Sequence, residues 1–211
     1  MATPKRIGII PAAGSANRFG GIIKELLPIS KDKAIMDYSI HAMRQGGVNS
    51  IIVVTSARKI AALAEHRPGL LYTLQIEARD IWGAILAGLR FEADEYLFAM
   101  PDTCIPEDAF DRTMTADFEL GTHWTDKPER FGMIRHDGIH NKEPGDPGSA
   151  WGVLMWKKKV RDYWIEFDYD IKSYTEAFNM AMGVYSWKAF ELSDYYDVSN
   201  FDDYHRLMNG G

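Results

Sequence analysis

Residues 6–29, RIGIIPAAGSANRFGGIIKELLPI, contain the features that decide the fold. The first six residues are a short apolar run that ends in a loop of small residues, which is typical of a buried parallel strand. Ligands of open α/β sheets bind beyond the carboxyl ends of the strands, so we expect this loop at a binding site. Small residues at 12–16 let backbone N–H groups approach phosphate oxygens, and Arg18 and Lys24 add two cations that suit a triphosphate.

Two well-known phosphate-binding patterns do not fit this loop. The Rossmann fingerprint requires glycine at positions 16 and 19, which are Ala16 and Phe19 here. The P-loop pattern requires glycine and lysine at positions 19 and 20, which are Phe19 and Gly20. A dinucleotide site and an ordinary P-loop are therefore disfavoured, while a plain strand-to-helix turn with surface charges remains the alternative to a triphosphate loop.

The rest of the first half alternates apolar β-branched runs with segments of helical periodicity. This alternation predicts right-handed crossovers and a mainly parallel sheet that helices cover on both faces. We predict strands at 50–55, 72–76 and 96–100, and helices at 35–45, 58–65 and 82–91.

After residue 117 short strand-like runs follow one another, with a hairpin-type turn at Asp137 and Gly138. We predict strands at 118–124, 131–135, 139–142, 150–156 and 188–192, and helices at 160–167, 174–182 and 203–208. Together the two patterns predict one α/β domain over residues 1–211, a Rossmann-like doubly wound mixed sheet. Its nucleotide-binding half covers about 1–117, and its acceptor-binding half about 118–211.

Composition narrows the class of function. The chain has 211 residues and a formal net charge of -6, so it has no basic footprint for nucleic acid or a membrane surface. No run approaches the roughly 20 apolar residues of a membrane helix, and the short apolar run at the N-terminus is interrupted by Gly8 and Pro11, so no secretory signal is expected. The single cysteine, Cys104, fits a reducing cytoplasm.

The loop resembles the signature of the sugar-1-phosphate nucleotidylyltransferases, G-x-G-x-R, a spacer, and P-K-x-L-L-P. The matching positions are Gly14, Arg18, Lys24, Leu26, Leu27 and Pro28. Ala16 replaces the second glycine, and Ile23 replaces the proline before the lysine. The form P-A-A-G-x-A-x-R followed by K-E-L-L-P is closest to a subgroup of bacterial members. The resemblance implies the nucleotide-diphospho-sugar transferase type of fold.

The resemblance also implies roles for residues of the first half and one near the C-terminus. Arg18 and Lys24 take catalytic roles, and Gln75 faces the base, with Asp80 where the family has a glycine. Asp102 and Asp197 hold Mg²⁺, Asp102 also contacting the nucleotide; two carboxylates plus substrate phosphates suit this ion. The backbone at the start of the loop binds phosphates, at Ala12, Ala13, Gly14 and Ser15.

Residues of the second half are implied to bind the acceptor. Gly132 lies in R-F-G-M-I, which matches the family's segment before the sugar site, and Trp151 lies in the matching strand that follows. Lys142 and Glu143 stand in swapped order where the family has E-K-P, with lysine on the sugar phosphate and glutamate on the sugar. Neighbours in a strand point to opposite sides, so the swap leaves open which of the two faces the acceptor.

The predicted activity is the transfer of a nucleotidyl group from a nucleoside triphosphate to a sugar 1-phosphate or similar phosphorylated small molecule, with release of pyrophosphate. A nucleotide-sugar-dependent glycosyltransferase is the first alternative, although such enzymes use an Asp-x-Asp metal motif that Asp102-Thr-Cys104 does not provide. A catalytically degenerate nucleotide-binding regulatory protein is the second, because several motif positions depart from the family. The base, the acceptor and any homo-oligomer stay open.

Overall fold

The helices and strands of this computed structural model follow the predicted alternation closely. The structure describes residues 3–15, 19–75 and 80–210. The helices are α1 (Met36–Gln45), α2 (Ile60–His66), α3 (Asp80–Leu89), α4 (Lys158–Glu166), α5 (Tyr174–Val184) and α6 (Phe201–Met208). The strands are β1 (Arg6–Ala12), β2 (Pro28–Ser30), β3 (Lys33–Ala34), β4 (Ser50–Thr55), β5 (Leu71–Leu74), β6 (Glu95–Ala99), β7 (Thr103–Cys104), β8 (Phe118–Thr125), β9 (Met133–Arg135), β10 (Gly138–His140), β11 (Gly148–Lys157), β12 (Trp187–Glu191) and β13 (Tyr196–Asp197).

Within the described residues nine strands form one mixed sheet. β6, β1, β4 and β5 lie side by side and run parallel, as the alternating first half predicts. β11 joins this parallel part antiparallel to β6 and pairs on its other side with β8, which in turn pairs with β12. The second half of the chain therefore extends the same sheet, which confirms a single mixed α/β domain.

The buried side chains of β1 show why both faces of the sheet are covered. Ile7 and Ile9 pack into the core under α3, α4 and α5, whereas Ile10 and Ala12 pack into the core under α1. Gly88 of α3 lies so close to β1 that a Cβ there would be 2.5 Å from Ile9 Cδ1. A continuous apolar run is what a strand buried on both faces needs, because alternate side chains enter opposite cores.

Two short strand pairs stand apart from the main sheet and were not predicted. β2 pairs with β3 in a small hairpin after the loop, and β7 pairs antiparallel with β13. The second pairing joins the end of the parallel sheet to a segment near the C-terminus. In the described residues none of the helices combines the length and the apolar character that crossing a bilayer requires.

Asp37 joins α1 to the end of α2. Its carboxylate accepts from the Ala34 amide at 2.8 Å and from Arg67 Nε and Nη2 at 2.6 and 2.5 Å. Burial alone would raise the pKa of Asp37, but the bonds from Arg67 and Ala34 lower it below its ordinary value. A carboxylate with a lowered pKa stabilises the fold above its unfolded-state pKa, and that contribution disappears as the pH falls through the folded-state pKa.

We expect the substitution Asp37→Asn to lower the free energy of unfolding at pH 7 by about 2 kcal/mol, since hydrogen bonds to a charged group are lost. Below the unfolded carboxyl pKa of about 3.9, the gap between variant and wild type should shrink as the wild-type carboxylate also becomes neutral. Urea unfolding of both proteins at pH 7 and pH 3 measures this gap. An equal gap at both pH values would contradict the assigned charge contribution.

Candidate active site

A cleft of about 620 Å³ opens at the carboxyl ends of the parallel strands. This is where the order of strands and helices predicts a ligand site. The first half of the chain supplies one wall, and α5 with the segment after β10 supplies the other. The lining residues are Pro11, Ala13, Gly14, Lys24, Glu25, Ser56, Gln75, Asp80, Ile81, Ala84, Met100, Pro101, Asp102, Asn141, Lys142 and Tyr174.

The loop after β1 contributes two of its small residues to the cleft. Ala13 and Gly14 line it, whereas Ala12 is buried at the end of β1 and Ser15 is exposed outside the lining. Arg18, which the sequence places in the catalytic machinery, lies outside the described residues. The loop turns back at Gly20 and Gly21, whose φ angles of 61° and 85° favour glycine, and then enters a short 3-10 helix at Lys24–Leu26.

Lys24 forms a hydrogen-bonded ion pair with Asp102 inside the cleft. Asp102 follows β6 and is 5% exposed, and its Oδ1 atom has no hydrogen-bond partner among the described residues. Burial alone would lower the pKa of Lys24, but the Asp102 carboxylate raises it above its ordinary value. A lysine with a raised pKa keeps its positive charge at neutral pH, as a phosphate-binding group requires.

The β7–β13 pairing brings Asp197 beside Asp102. Asp197 pairs with Thr103, the residue after Asp102, and the Val198 amide donates to the Asp102 carbonyl at 2.9 Å. Burial and the negative charge of Asp102 raise the pKa of Asp197. The two carboxylates that the sequence predicts as metal ligands are therefore close enough to interact electrostatically, although nearly half of the chain separates them in the sequence.

Packing of the C-terminal segment against the loop holds this arrangement. Phe19 contacts Phe201 of α6 with ring centroids 4.9 Å apart, and Val198 is buried in the same small cluster. Tyr204 donates to the Pro28 carbonyl at 2.5 Å. The end of the chain is thus attached to the segment that contains Lys24, which explains how Asp197, distant in sequence, comes close to Lys24 and Asp102.

Arg130 is a partner of Asp197 that the sequence did not single out. Its Nη2 atom donates to Asp197 Oδ2, Asp203 Oδ2 and Ser199 Oγ, each at 2.8 Å. The predicted motif R-F-G-M-I contains this arginine, but spacing alone does not show that it reaches the segment after β13. Arg130 orients one oxygen of Asp197 and balances its charge.

The swapped pair Lys142 and Glu143 separates in space. Lys142 lines the cleft. Burial and Asp102 raise the pKa of Asp197, and the positive charges of Arg130 and Lys142 only partly oppose that rise. Glu143 is exposed, outside the lining, and its carboxylate lies 3.2 Å from His140 Nδ1. Asn141 and Tyr174 line the cleft beside Lys142, and the Tyr174 hydroxyl donates to Asn141 Oδ1 at 2.8 Å.

Trp151 and Gly132, both predicted to bind the acceptor, lie in the core behind the cleft wall. Trp151 is 6% exposed and packs edge-on against Tyr174 and Phe178. A Cβ at Gly132 would overlap with Trp151 Nε1, so glycine is needed there to make room for the indole. The structure therefore places this pair in packing contact with one another, with Tyr174 between Trp151 and the cleft.

Gln75 and Asp80 lie together at the end of the cleft beyond β5. Gln75 Nε2 donates to the Asp80 carbonyl at 3.2 Å, and Asp80 Oδ1 accepts from the Trp82 amide at 2.7 Å. Asp80 has a φ of 30°, in the left-handed region that favours glycine, and glycine is the residue that the related pattern has at this position. The predicted end of the third strand at residue 76 lies outside the described residues, as do residues 77–79.

A comparison of the sequence with protein families gives one match. Residues 8–138 match the family model described as the MobA-like NTP transferase domain. No curated protein matches the chain significantly.

Solved structures show the same fold at low sequence identity. A protein from Bacillus anthracis, provisionally assigned as a glucose-1-phosphate thymidylyltransferase and solved with sucrose, is 19% identical with a TM-score of 0.83, covering 97% of this chain and 94% of its own. An apo UDP-glucose pyrophosphorylase is 17% identical with a TM-score of 0.75, covering 99% and 98%. An inositol-1-phosphate CTP transferase from T. maritima is 17% identical with a TM-score of 0.70, covering 99% and 97%.

Proposed function

The chain belongs to the family of MobA-like NTP transferase domains and is therefore a nucleotidyltransferase, and from this premise we propose that it joins a nucleoside triphosphate to a sugar 1-phosphate or a similar phosphorylated small molecule. The reaction releases pyrophosphate and depends on Mg²⁺. We place it in the cytoplasm, where the single cysteine, Cys104, stays reduced.

The observation that supports this proposal is the meeting of Lys24 and Asp102, which line the cleft, with Asp197, which lies beside Asp102 outside the lining. In the proposed reaction an oxygen of the acceptor phosphate attacks the α-phosphorus in line. The bond from that phosphorus to the bridging oxygen breaks, and pyrophosphate leaves with the electron pair. The enzyme must hold two polyanions together, so aligned positive charge is the main requirement.

The carboxylates fit a magnesium ion. Asp102 presents a buried oxygen without a partner among the described residues, and Asp197 lies beside it. In the described part of the chain there is no group of three or more His, Cys, Asp or Glu side chains arranged to hold a metal ion, so substrate oxygens would complete the coordination. Bound there, Mg²⁺ would neutralise charge that develops on the phosphate oxygens.

Residues on the two walls of the cleft are suited to bind different substrates. The backbone at Ala13 and Gly14 faces the cleft where the phosphates of the nucleotide would lie, and the Lys24 ammonium supplies a compact positive charge there. On the opposite wall, Lys142 supplies a second ammonium for the acceptor phosphate, while the Tyr174 hydroxyl and the Asn141 amide suit the hydroxyl groups of a sugar or another polyol.

Pyrophosphate release, measured with each of the four ribonucleoside triphosphates and dTTP against a panel of sugar 1-phosphates and polyol phosphates, tests the proposal. We expect release only when both substrates and Mg²⁺ are present, and loss of release when the metal is chelated. Transfer of sugar from a finished nucleotide sugar would instead identify a glycosyltransferase. Tight binding of a triphosphate without turnover for any acceptor would identify a degenerate regulatory protein.

A further inference from the structure

Lys59 is a lysine that the proposed reaction does not use, although it is almost completely buried. Its exposed fraction is 4%, and its ammonium lies 2.7 Å from Glu25 Oε1 and 3.2 Å from the Ala12 carbonyl oxygen. Glu25 is 1% exposed. Lysine is rarely buried to this extent unless a specific partner balances its charge, so the contacts of Lys59 define its role.

The two partners of Lys59 lie at the two ends of the nucleotide-binding loop. Ala12 is the last residue of β1, where the loop begins, and Glu25 follows Lys24 in the short 3-10 helix where the loop ends. A second donor, Thr55 Oγ1, lies 3.3 Å from the same Ala12 carbonyl. The Lys59 ammonium therefore bonds to residues at both ends of the loop and holds these ends together. We call this contact the closure of the loop.

We infer that Lys59 is a positioning residue, whose buried ammonium sets the distance between the backbone at Ala13 and Gly14 and the side chain of Lys24. Lys59 is not part of the lining of the cleft, whereas Glu25 is. Lys59 therefore influences a bound ligand through Glu25 and the loop and does not contact the ligand itself. Because both side chains are almost completely buried, water competes little with these hydrogen bonds. The consequence for catalysis rests on the proposed function, but the closure of the loop does not.

A buried ion pair at the other end of β1 provides a matched control. Arg6 Nε lies 2.8 Å from Glu95 Oε2, with side-chain exposures of 13% and 11%. This pair joins the amino ends of β1 and β6, away from the cleft. Glu25→Gln and Glu95→Gln therefore remove the same charge by the same isosteric change, and only the first acts on the nucleotide-binding loop.

Hydrogen exchange by mass spectrometry tests the closure without any substrate. In Glu25→Gln and Lys59→Met we expect amides of residues 13–15 and 19–25 to exchange on the order of tenfold faster than in the wild type, because local opening becomes easier. Glu95→Gln should leave these amides unchanged, and Lys59→Arg should retain most of the protection. Equal protection of the loop in Glu25→Gln and Glu95→Gln would overturn the inference. If Lys59→Met does not fold, the two isosteric variants still decide it.

Steady-state kinetics test the consequence of the closure. Because a misplacement of about 1 Å can cost on the order of a hundredfold in rate, we expect kcat/KM for the triphosphate to fall by roughly tenfold to a hundredfold in Glu25→Gln and to stay near wild type in Glu95→Gln. Equal kinetic losses in two folded variants would overturn the positioning role. A wild-type protein without turnover would instead remove the proposed function, and the exchange measurement alone would then judge the closure.

Discussion

Asp102→Asn should give a folded protein whose turnover is lower than that of the wild type by about a thousandfold. The side chain is buried at the carboxyl end of β6, where asparagine has nearly the same size and shape, so the packing around it is preserved. The charge is lost, however. An amide is a weak ligand for Mg²⁺ compared with a carboxylate, and it no longer balances the ammonium of Lys24, which is bonded to Asp102 in the cleft.

Single-turnover kinetics and thermal unfolding, measured on the same preparation, separate these effects. We expect a melting temperature close to that of the wild type together with the loss of turnover. Asp37→Asn is the natural control, because it removes a buried carboxylate that is not part of the cleft lining and should show the opposite pattern, lower stability with unchanged turnover. Turnover at the wild-type rate in Asp102→Asn would refute the metal role proposed for this carboxylate.

The sequence predicts the central sheet well because its signals are local. β1, β4 and β6 are continuous apolar runs that must be buried on both faces, and the segments between them have helical periodicity. Their carboxyl ends follow from the parallel order, and Lys24, Gln75 and Asp102 line the cleft that those ends form. For these strands the apolar sequence pattern and the observed burial of the side chains agree.

Other parts of the site depend on contacts that periodicity does not encode. β7 and β13 contain two residues each, so no pattern predicts their pairing, yet this pairing places Asp197 beside Asp102. Asp197 is found from sequence only through the resemblance to a known motif. Arg130 reaches Asp197 across the fold, and a spacing argument cannot identify such a partner.

The acceptor side shows how a motif match can assign the wrong environment to a side chain. Trp151 lies in a strand that matches the family, but its ring packs between Tyr174 and Phe178 because a large indole is stabilised by leaving water. Tyr174, which no motif includes, lines the cleft instead. Lys142 and Glu143 are neighbours with different environments, because Lys142 lines the cleft whereas Glu143 is exposed beside His140.

Lys24→Met should lower turnover by about a hundredfold to a thousandfold, the range found when one electrostatic stabiliser is removed from an active site. Methionine keeps an unbranched side chain of similar length, so the 3-10 helix at Lys24–Leu26 and the packing of Leu27 should be preserved. The main loss is the positive charge that we propose lies beside the triphosphate. Because this charge matters most as negative charge develops in the reaction, kcat should fall more than the affinity for the triphosphate.

The double variant Lys24→Met with Asp102→Asn distinguishes direct action of Lys24 from support of Asp102. Groups that act together on one reacting centre give losses that are far from additive, so we expect the double variant to be little slower than Asp102→Asn alone. Fully additive losses would mean that the ion pair between them has no share in the reaction. An unchanged rate in Lys24→Met would mean that the lysine only compensates the charge of Asp102 in the free protein, and the phosphate-binding role of the loop would then depend on its backbone.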